Sequence, residues 1–309
     1  MDRRPPRLSL LLSRLRSWLQ AGATLLTNPH LPNLFQGGLY RGPGKTVCVP
    51  GLNCYSCPAA TGACPIGAFQ AVAGSSKFHF SYYITGFLIL LGVVLGRFIC
   101  GFLCPFGWFQ ELMYRLPIKK CSTRRLKPLT WLKYAVLLGM VVLLPALAVN
   151  DVGLGDPFFC KYLCPQGVLE GAIPLSLAHS NIRAALGGLF TWKFGILLTV
   201  LGLSAVFFRP FCKWLCPLGA FYALFNRISM VQMKVDQTKC VSCGRCSKAC
   251  RMDVDVTKTP NHSECIRCGM CVRHCPTKAV RFSCGFGTGR DPACSLQQEQ
   301  LDQTEPTNQ

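Results

Sequence analysis

Apolar positions gather into three long, almost uncharged runs: Ser81–Ile99, Trp131–Val149 and Phe190–Phe208. Each is long enough, as a helix, to cross a hydrocarbon layer of about 30 Å. Lys193, near the start of the third, has a stem that lets its ammonium reach the interface. A fourth run, Leu8–Thr27, is Leu-rich but broken by Arg14 and Arg16. It reads as a further span. An interfacial amphipathic helix and a signal peptide are the alternatives, and the broken apolar stretch argues against the second. Gly167–His179 is apolar but short and holds Pro174, as in a half-helix or one lying at the interface. Near Val235 the apolar runs stop. After Cys294 the chain is rich in Gln, Asp, Thr and Glu, the composition of a disordered tail.

Cysteine changes this picture most. The chain has 309 residues and 21 cysteines. A disulfide-stapled secreted protein would be short and soluble, so metal is the remaining explanation. The C-terminal third reads Cys240-x2-Cys243-x2-Cys246-x3-Cys250, then Cys265-x2-Cys268-x2-Cys271-x3-Cys275-Pro276. This is the bacterial two-cluster ferredoxin spacing, in which the fourth cysteine of each run serves the other 4Fe–4S cluster. One cluster then takes Cys240, Cys243, Cys246 and Cys275, and the other Cys265, Cys268, Cys271 and Cys250. Zinc does not need the third cysteine of each run. Arg251 follows Cys250 where Pro276 follows Cys275.

A second pattern recurs near the ends of the apolar runs. It reads Arg97-Phe-Ile-Cys100-Gly-Phe-Leu-Cys104-Pro-Phe-Gly, and again Arg209-Pro-Phe-Cys212-Lys-Trp-Leu-Cys216-Pro-Leu-Gly. Asp156-Pro-Phe-Phe-Cys160-Lys-Tyr-Leu-Cys164-Pro-Gln-Gly is a third copy. Cys64-Pro-Ile-Gly, preceded by Cys48, Cys54 and Cys57, is a partial fourth. Cysteines four apart on a helical turn face one side, so each pair supplies half the ligands of a cubane. Two spans separate residues 100–104 from 212–216, which predicts one cluster on Cys100, Cys104, Cys212 and Cys216. Another would draw on Cys160 and Cys164 plus two of Cys48, Cys54, Cys57 and Cys64, with the repeat favouring Cys64. Six such thiols exceed one cluster and fall short of two, so the spare pair forms a disulfide or a second cluster takes a non-cysteine ligand. Arg97 and Arg209 either offset thiolate charge or anchor helix ends at the interface.

The net charge is +20, from 33 Lys+Arg against 13 Asp+Glu. Thiolate-held clusters are anions and absorb part of it. The rest fits membrane topology and anionic lipid, and its placement beside apolar runs sets nucleic acid aside. The loop 105–130 carries Arg115, Lys119, Lys120, Arg124, Arg125 and Lys127 against Glu111. The loop 150–189 carries Lys161 and Arg183 against Asp151, Asp156 and Glu170. The positive-inside rule puts the first loop, the ferredoxin segment and both chain ends in the cytoplasm of a bacterial inner-membrane protein. Residues 48–64 and 160–164 then fall on the outer side. Cys121, Cys284 and Cys294 fit no repeat and read as non-ligands. His79 and His179 read as interfacial rather than haem or quinone ligands. Gly42-Pro-Gly44-Lys45-Thr46 lacks the first glycine of a phosphate loop.

These Cys-x3-Cys-Pro pairs, followed by a two-cluster ferredoxin, resemble the membrane 4Fe–4S proteins related to the quinol-dehydrogenase component of periplasmic nitrate reductase systems. Nitrous-oxide-reductase accessory regulators and cytochrome-oxidase assembly ferredoxins share these parts. The resemblance runs from about Val47 to Val280. The block Cys48-Val-Pro-Gly-Leu-Asn-Cys54-Tyr-Ser-Cys57-Pro is similar to a largely uncharacterised subgroup common in anaerobes. The resemblance implies electron exchange between the quinone pool, such as menaquinol, and a redox partner protein. The expected fold is an all-α membrane domain over residues 1–230, with about four spans, an α+β ferredoxin domain over 231–283, and a tail over 284–309. Roughly three to four clusters are expected in all. No nucleophile or acid–base constellation is evident, so enzyme status rests on whether quinol is oxidised on this chain. A redox-sensing regulator or assembly factor, and a subunit of an ion-translocating complex, are the alternative functions.

Overall fold

The structure is a computed structural model that describes residues 6–75, 82–149 and 155–285. His79, Cys294 and the expected tail beyond residue 285 lie outside the described residues.

Among the described residues, two helices are long and apolar enough to cross a membrane, Arg124–Leu147 and Gly188–Val206. Two shorter apolar helices, Tyr82–Val94 and Gly167–Ala178, accompany them. The expected span 81–99 is therefore a helix and a separate turn, Phe98–Phe102. Gly96 divides them with left-handed backbone, φ 54°, which costs a glycine nothing. Pro65–Gly74 packs against Tyr82–Val94 and leads away from Cys64, while the second helix leads back toward Cys100. The 48–64 block thus meets the Cys100 repeat instead of lying a full span away. A Cβ on Gly51 would stand 2.9 Å from Cys104 Cα.

The N-terminal run forms a helix, Pro6–Thr27, despite its two arginines. Its polar residues Ser9, Ser13, Arg16 and Gln20 are buried, and Leu11, Leu15, Trp18 and Leu26 are exposed. These positions repeat at helical spacing, so the polar stripe faces the protein and the apolar one faces outward. Arg16 pairs with Glu111 and donates Nε–H to Gly101 O at 3.1 Å.

The C-terminal part has strands Val231–Val235 and Val280–Cys284, paired antiparallel with Met233 opposite Phe282. Short helices Arg245–Ala249 and Met270–His274 lie between them. Left-handed residues recur at matching places in its two halves: Ser242 and Arg267, Gly244 and Gly269, Asp253 and Lys278. The same backbone unit is used twice, with glycine just ahead of each short helix. Phe102 enters this part's core beside Met233, Val256 and Phe282. Met252, Val254 and Ile266 join the core of the helical part. The two parts pack on one another through apolar side chains.

Candidate iron–sulfur sites

The local chemistry of Cys-Pro-x-Gly is the same in all copies. A residue before proline is pushed into extended backbone, and proline suits the first position of a helix. Cys64, Cys104 and Cys216 are accordingly extended (ψ 126°, 116° and 112°) and precede helices Pro65–Gly74, Pro105–Tyr114 and Pro217–Phe225. Cys164 has the same backbone, ψ 113°. The thiol then sits at a helix N-terminus, beside free amides. The glycine three residues on supplies an amide: Gly67 for Cys64, Gly107 for Cys104, Gly167 for Cys164 and Gly219 for Cys216.

Cys100, Cys104, Cys212 and Cys216 come together, each within reach of the others' charge. Their two repeats clasp each other reciprocally. Arg97 donates to Cys212 O at 3.2 Å, and Arg209 donates to Cys100 O. Both arginines are fully buried. Each is neutralised by a carboxylate, Arg97 by Glu264 at 2.9 Å and Arg209 by Glu111 at 2.7 Å. Neither is an interface anchor. Gly107 and Gly219 leave room for this clasp: a Cβ on Gly107 would stand 2.9 Å from Arg209 Nη1, and one on Gly219 3.6 Å from Arg97 Nη2.

The second helical set resolves to Cys54, Cys64, Cys160 and Cys164, again mutually within electrostatic reach. A Cβ on Gly67 would lie 3.8 Å from Cys160 Sγ, and one on Gly167 would lie 3.8 Å from Cys54 Sγ. Cys54 thus takes the place that a full fourth repeat would fill. Cys48 neighbours Cys64 and forms a bridge with Ala63. Cys57 points to Asn28 Oδ1 at 3.7 Å, under a small cluster with Ala59 and Ala60. Replacing Cys54 by serine is therefore expected to remove about four irons per chain, the content of one cubane, while Cys48→Ser and Cys57→Ser leave iron unchanged. Iron analysis of the three variants checks this, and iron loss in either of the latter two would reassign the set.

A residue type missed in the sequence completes both sets. The sixth position after each Cys-Pro cysteine is polar: Gln70, Gln110, Glu170 and Tyr222. Gln70 accepts from Phe159 N at 2.9 Å and donates to Cys160 Sγ at 3.2 Å. Gln110 does the same for Phe211 N and Cys212 Sγ, at 3.2 and 3.1 Å. Glu170 accepts from Cys54 N at 3.1 Å. Tyr222 donates to Pro50 O at 3.0 Å and lies within electrostatic reach of Cys64 as well as of Cys100, Cys104 and Cys216. The shared offset was the available signal.

In the C-terminal part, Cys240, Cys243, Cys246 and Cys275 line one void with Val241 and Val280. Cys250, Cys265, Cys268 and Cys271 line another with Met252 and Val256. This is the crossed arrangement that the spacing predicts. Among the described residues no three His, Cys, Asp or Glu side chains converge as they would on a single ion. The wider set of thiols suits the corners of a cluster. Arg97, Arg209 and Arg267 each keep a buried Nε without a hydrogen-bond partner, and each stands within reach of thiol charge. An anionic sulfur cluster fits such surroundings.

Comparison with known proteins points to the same class of cofactor. Residues 62–83, 78–124, 132–173 and 190–235 match a 4Fe–4S binding domain family, and residues 233–254 and 259–281 match a second one. An uncharacterised protein of Methanocaldococcus jannaschii is 31% identical over 209 residues, 64% of this chain and 77% of the relative. The methylamine utilization ferredoxin-type protein MauN of Methylobacillus flagellatus is 28% identical, over 54% of this chain and 51% of its own length. The ferredoxin-type protein NapH of Haemophilus influenzae is 27% identical, over 36% of this chain and 53% of its own. This chain belongs to the NapH-type family of 4Fe–4S proteins. No solved structure matches it.

As a NapH-type protein it holds several 4Fe–4S clusters and carries electrons, one at a time, through them. Other residues that the sequence brought forward have plainer roles. Lys45 donates to Tyr55 O and Cys57 O, at 2.6 and 3.3 Å, and so braces the cysteine loop. Lys193 donates to Cys160 O at 3.0 Å. His179 Nε2 lies 3.3 Å from Gly37 O. Cys284 lies in the second strand, and Cys121 is exposed.

Proposed function

We propose that this NapH-type protein is a multi-pass inner-membrane conduit that links the quinone pool, on the menaquinol side, to a redox partner protein, with the ferredoxin part in the cytoplasm. Four clusters would be held by Cys54/Cys64/Cys160/Cys164, Cys100/Cys104/Cys212/Cys216, Cys250/Cys265/Cys268/Cys271 and Cys240/Cys243/Cys246/Cys275.

The observation that carries this reading is that the four thiol sets adjoin one another in a row. Tyr222 is within electrostatic reach of thiols of both the first and the second. Between the second and third, the turn at Gly101 lies against Ile266, where a Cβ would come within 2.3 Å of Ile266 O. Helices Arg245–Ala249 and Met270–His274 pack together between the third and fourth. The last set ends at the surface, with Cys243 exposed. Buried guanidinium charge and amide donation from Gln70 and Gln110 to thiol sulfur favour reduced clusters.

The membrane part rests on the outward apolar faces. Trp18, Leu26, Trp131, Leu147, Trp192 and Leu198 are exposed, as lipid contact requires. With polar groups turned inward, Pro6–Thr27, which packs on Pro105–Tyr114 and Met270–His274, acts as a further span. Short helices such as Tyr82–Val94 complete the bundle.

Iron and acid-labile sulfide on anaerobically purified protein, followed by mixing with a reduced menaquinone analogue, test the proposal. About sixteen irons per chain, the content of four cubanes, and bleaching on quinol addition are expected. About eight irons without bleaching would leave the ferredoxin clusters alone and move the regulator or assembly role to first place.

A further inference from the structure

Arg251 occupies the place that proline holds in the second cysteine run. Its guanidinium lies over the rings of Tyr114 and Phe208, at 5.3 and 5.6 Å. The two rings meet edge to face at 5.4 Å. Tyr114 ends the helix Pro105–Tyr114, and Phe208 follows the helix Gly188–Val206, so Arg251 joins the ferredoxin part to the helical part.

These three residues wall a cleft of about 470 Å³ whose other cations are Lys120, Arg124 and Lys248. Asp253 is the one acid lining it. Its carboxylate is already engaged by Lys213 at 2.8 Å and by the Thr123 and Ser122 hydroxyls. Arg124 approaches it only to 3.8 Å and is well exposed. Lys120 is held by main-chain carbonyls, Leu116 O and Ala205 O, each at 2.7 Å, and by the Tyr114 ring. Arg251 is held by aromatic faces. Among the described residues Lys120 and Arg251 are thus held without a carboxylate partner, and two more cations stand beside them. All four cations are exposed to solvent at the cleft, and charge-assisted hydrogen bonds to an arriving counter-charge are favourable there.

We propose that this cleft binds a phosphate group. Arg251 and Lys248 from the ferredoxin part and Lys120 and Arg124 from the helical part would close on its oxygens, so the ligand also ties the two parts together. Two sources share this chemistry: the phosphodiester of an anionic phospholipid, and a soluble phosphate compound. The lipid source rests on the membrane reading above. The cleft lies at the cytoplasmic end of Gly188–Val206, where Cys121 N donates to Val206 O at 3.2 Å, and that is headgroup depth.

Cys121 lines the cleft and reports on it. The test is the rate of its alkylation by an uncharged maleimide, located by peptide mass mapping, in cluster-loaded full-length protein in neutral detergent. Phosphatidylglycerol, phosphatidylcholine and inorganic phosphate are added separately. Slowing by about tenfold, the effect of one charge-assisted hydrogen bond, with phosphatidylglycerol alone identifies lipid. Equal slowing with inorganic phosphate identifies a soluble ligand. Lys248→Gln, which removes an exposed side chain, and Arg251→Gln are each expected to abolish the protection, and Arg251→Lys to restore part of it. No slowing, equal slowing with phosphatidylcholine, or protection that survives Lys248→Gln would overturn the proposal.

Discussion

Cys104→Ala and Cys216→Ala are each expected to abolish one and the same paramagnetic signal of the reduced protein, and to leave the two ferredoxin signals in place. The two residues are far apart in sequence and belong to different repeats. They meet because each opens a helix whose first turn faces the other across the Arg97–Arg209 clasp. Loss of one thiolate removes a quarter of the ligands of a cubane. Electron paramagnetic resonance of the dithionite-reduced variants reads the result, with iron content falling by about four per chain. Loss of two different signals would mean that the repeats do not share a cluster. Gln110→Leu is the milder companion. It removes a donor to Cys212 Sγ and is expected to lower that cluster's potential without removing its iron.

Glu264→Ala should cost about 3–5 kcal/mol, because it strands two buried cations. Arg97 Nη1 donates to its Oε2 at 2.9 Å, and Lys133 pairs with its Oε1. Both cations are fully buried, so water cannot take over. Lys133 comes from the apolar helix Arg124–Leu147, Arg97 from the cysteine repeat and Glu264 from the ferredoxin part. The triad therefore fastens three segments at once. A loss of that size is a large share of typical net stability. Thermal unfolding of the loaded protein in detergent is the measurement, and Glu264→Gln should fall between the wild type and the alanine variant.

The same carboxylate gives a pH signature. Burial opposes its ionisation, but the Arg97 and Lys133 charges outweigh burial and hold its carboxyl below the usual range. A group whose folded value is depressed stabilises fully above its unfolded value, about 4.5. That stabilisation fades as the pH falls through the folded value. The gap in unfolding temperature between wild type and Glu264→Gln should narrow below about pH 4.5. A gap that stays constant would remove Glu264 from the account.

The ferredoxin pairing was legible because ligand chemistry is written in short spacing. Three cysteines at intervals of three positions are set to wrap one cluster, and the fourth is kept for the other. The recurring left-handed residues follow from the same local unit. Cys-Pro was legible too, since proline dictates both the extended cysteine before it and the helix after it. The apolar runs Trp131–Val149 and Phe190–Phe208 were read from their near absence of charge, and the helices Arg124–Leu147 and Gly188–Val206 cover most of them. The run 81–99 was read as too long, because average hydropathy does not register one glycine turning left-handed at Gly96.

Tertiary structure decided the rest. The choice of Cys54 over Cys48 and Cys57 depends on where a loop without periodicity folds back, beside Gly167 and Glu170. The neutralisation of Arg97 and Arg209 by Glu264 and Glu111 joins residues up to 167 positions apart, and no local pattern encodes such a pairing. The sequence by itself determined how the thiols of the ferredoxin part group into two sets and which elements carry the other thiols, because spacing and proline act within a few residues. Only the packed structure decided which repeats face each other and which charges neutralise which, because burial leaves each polar group to find whichever partner the fold brings within reach.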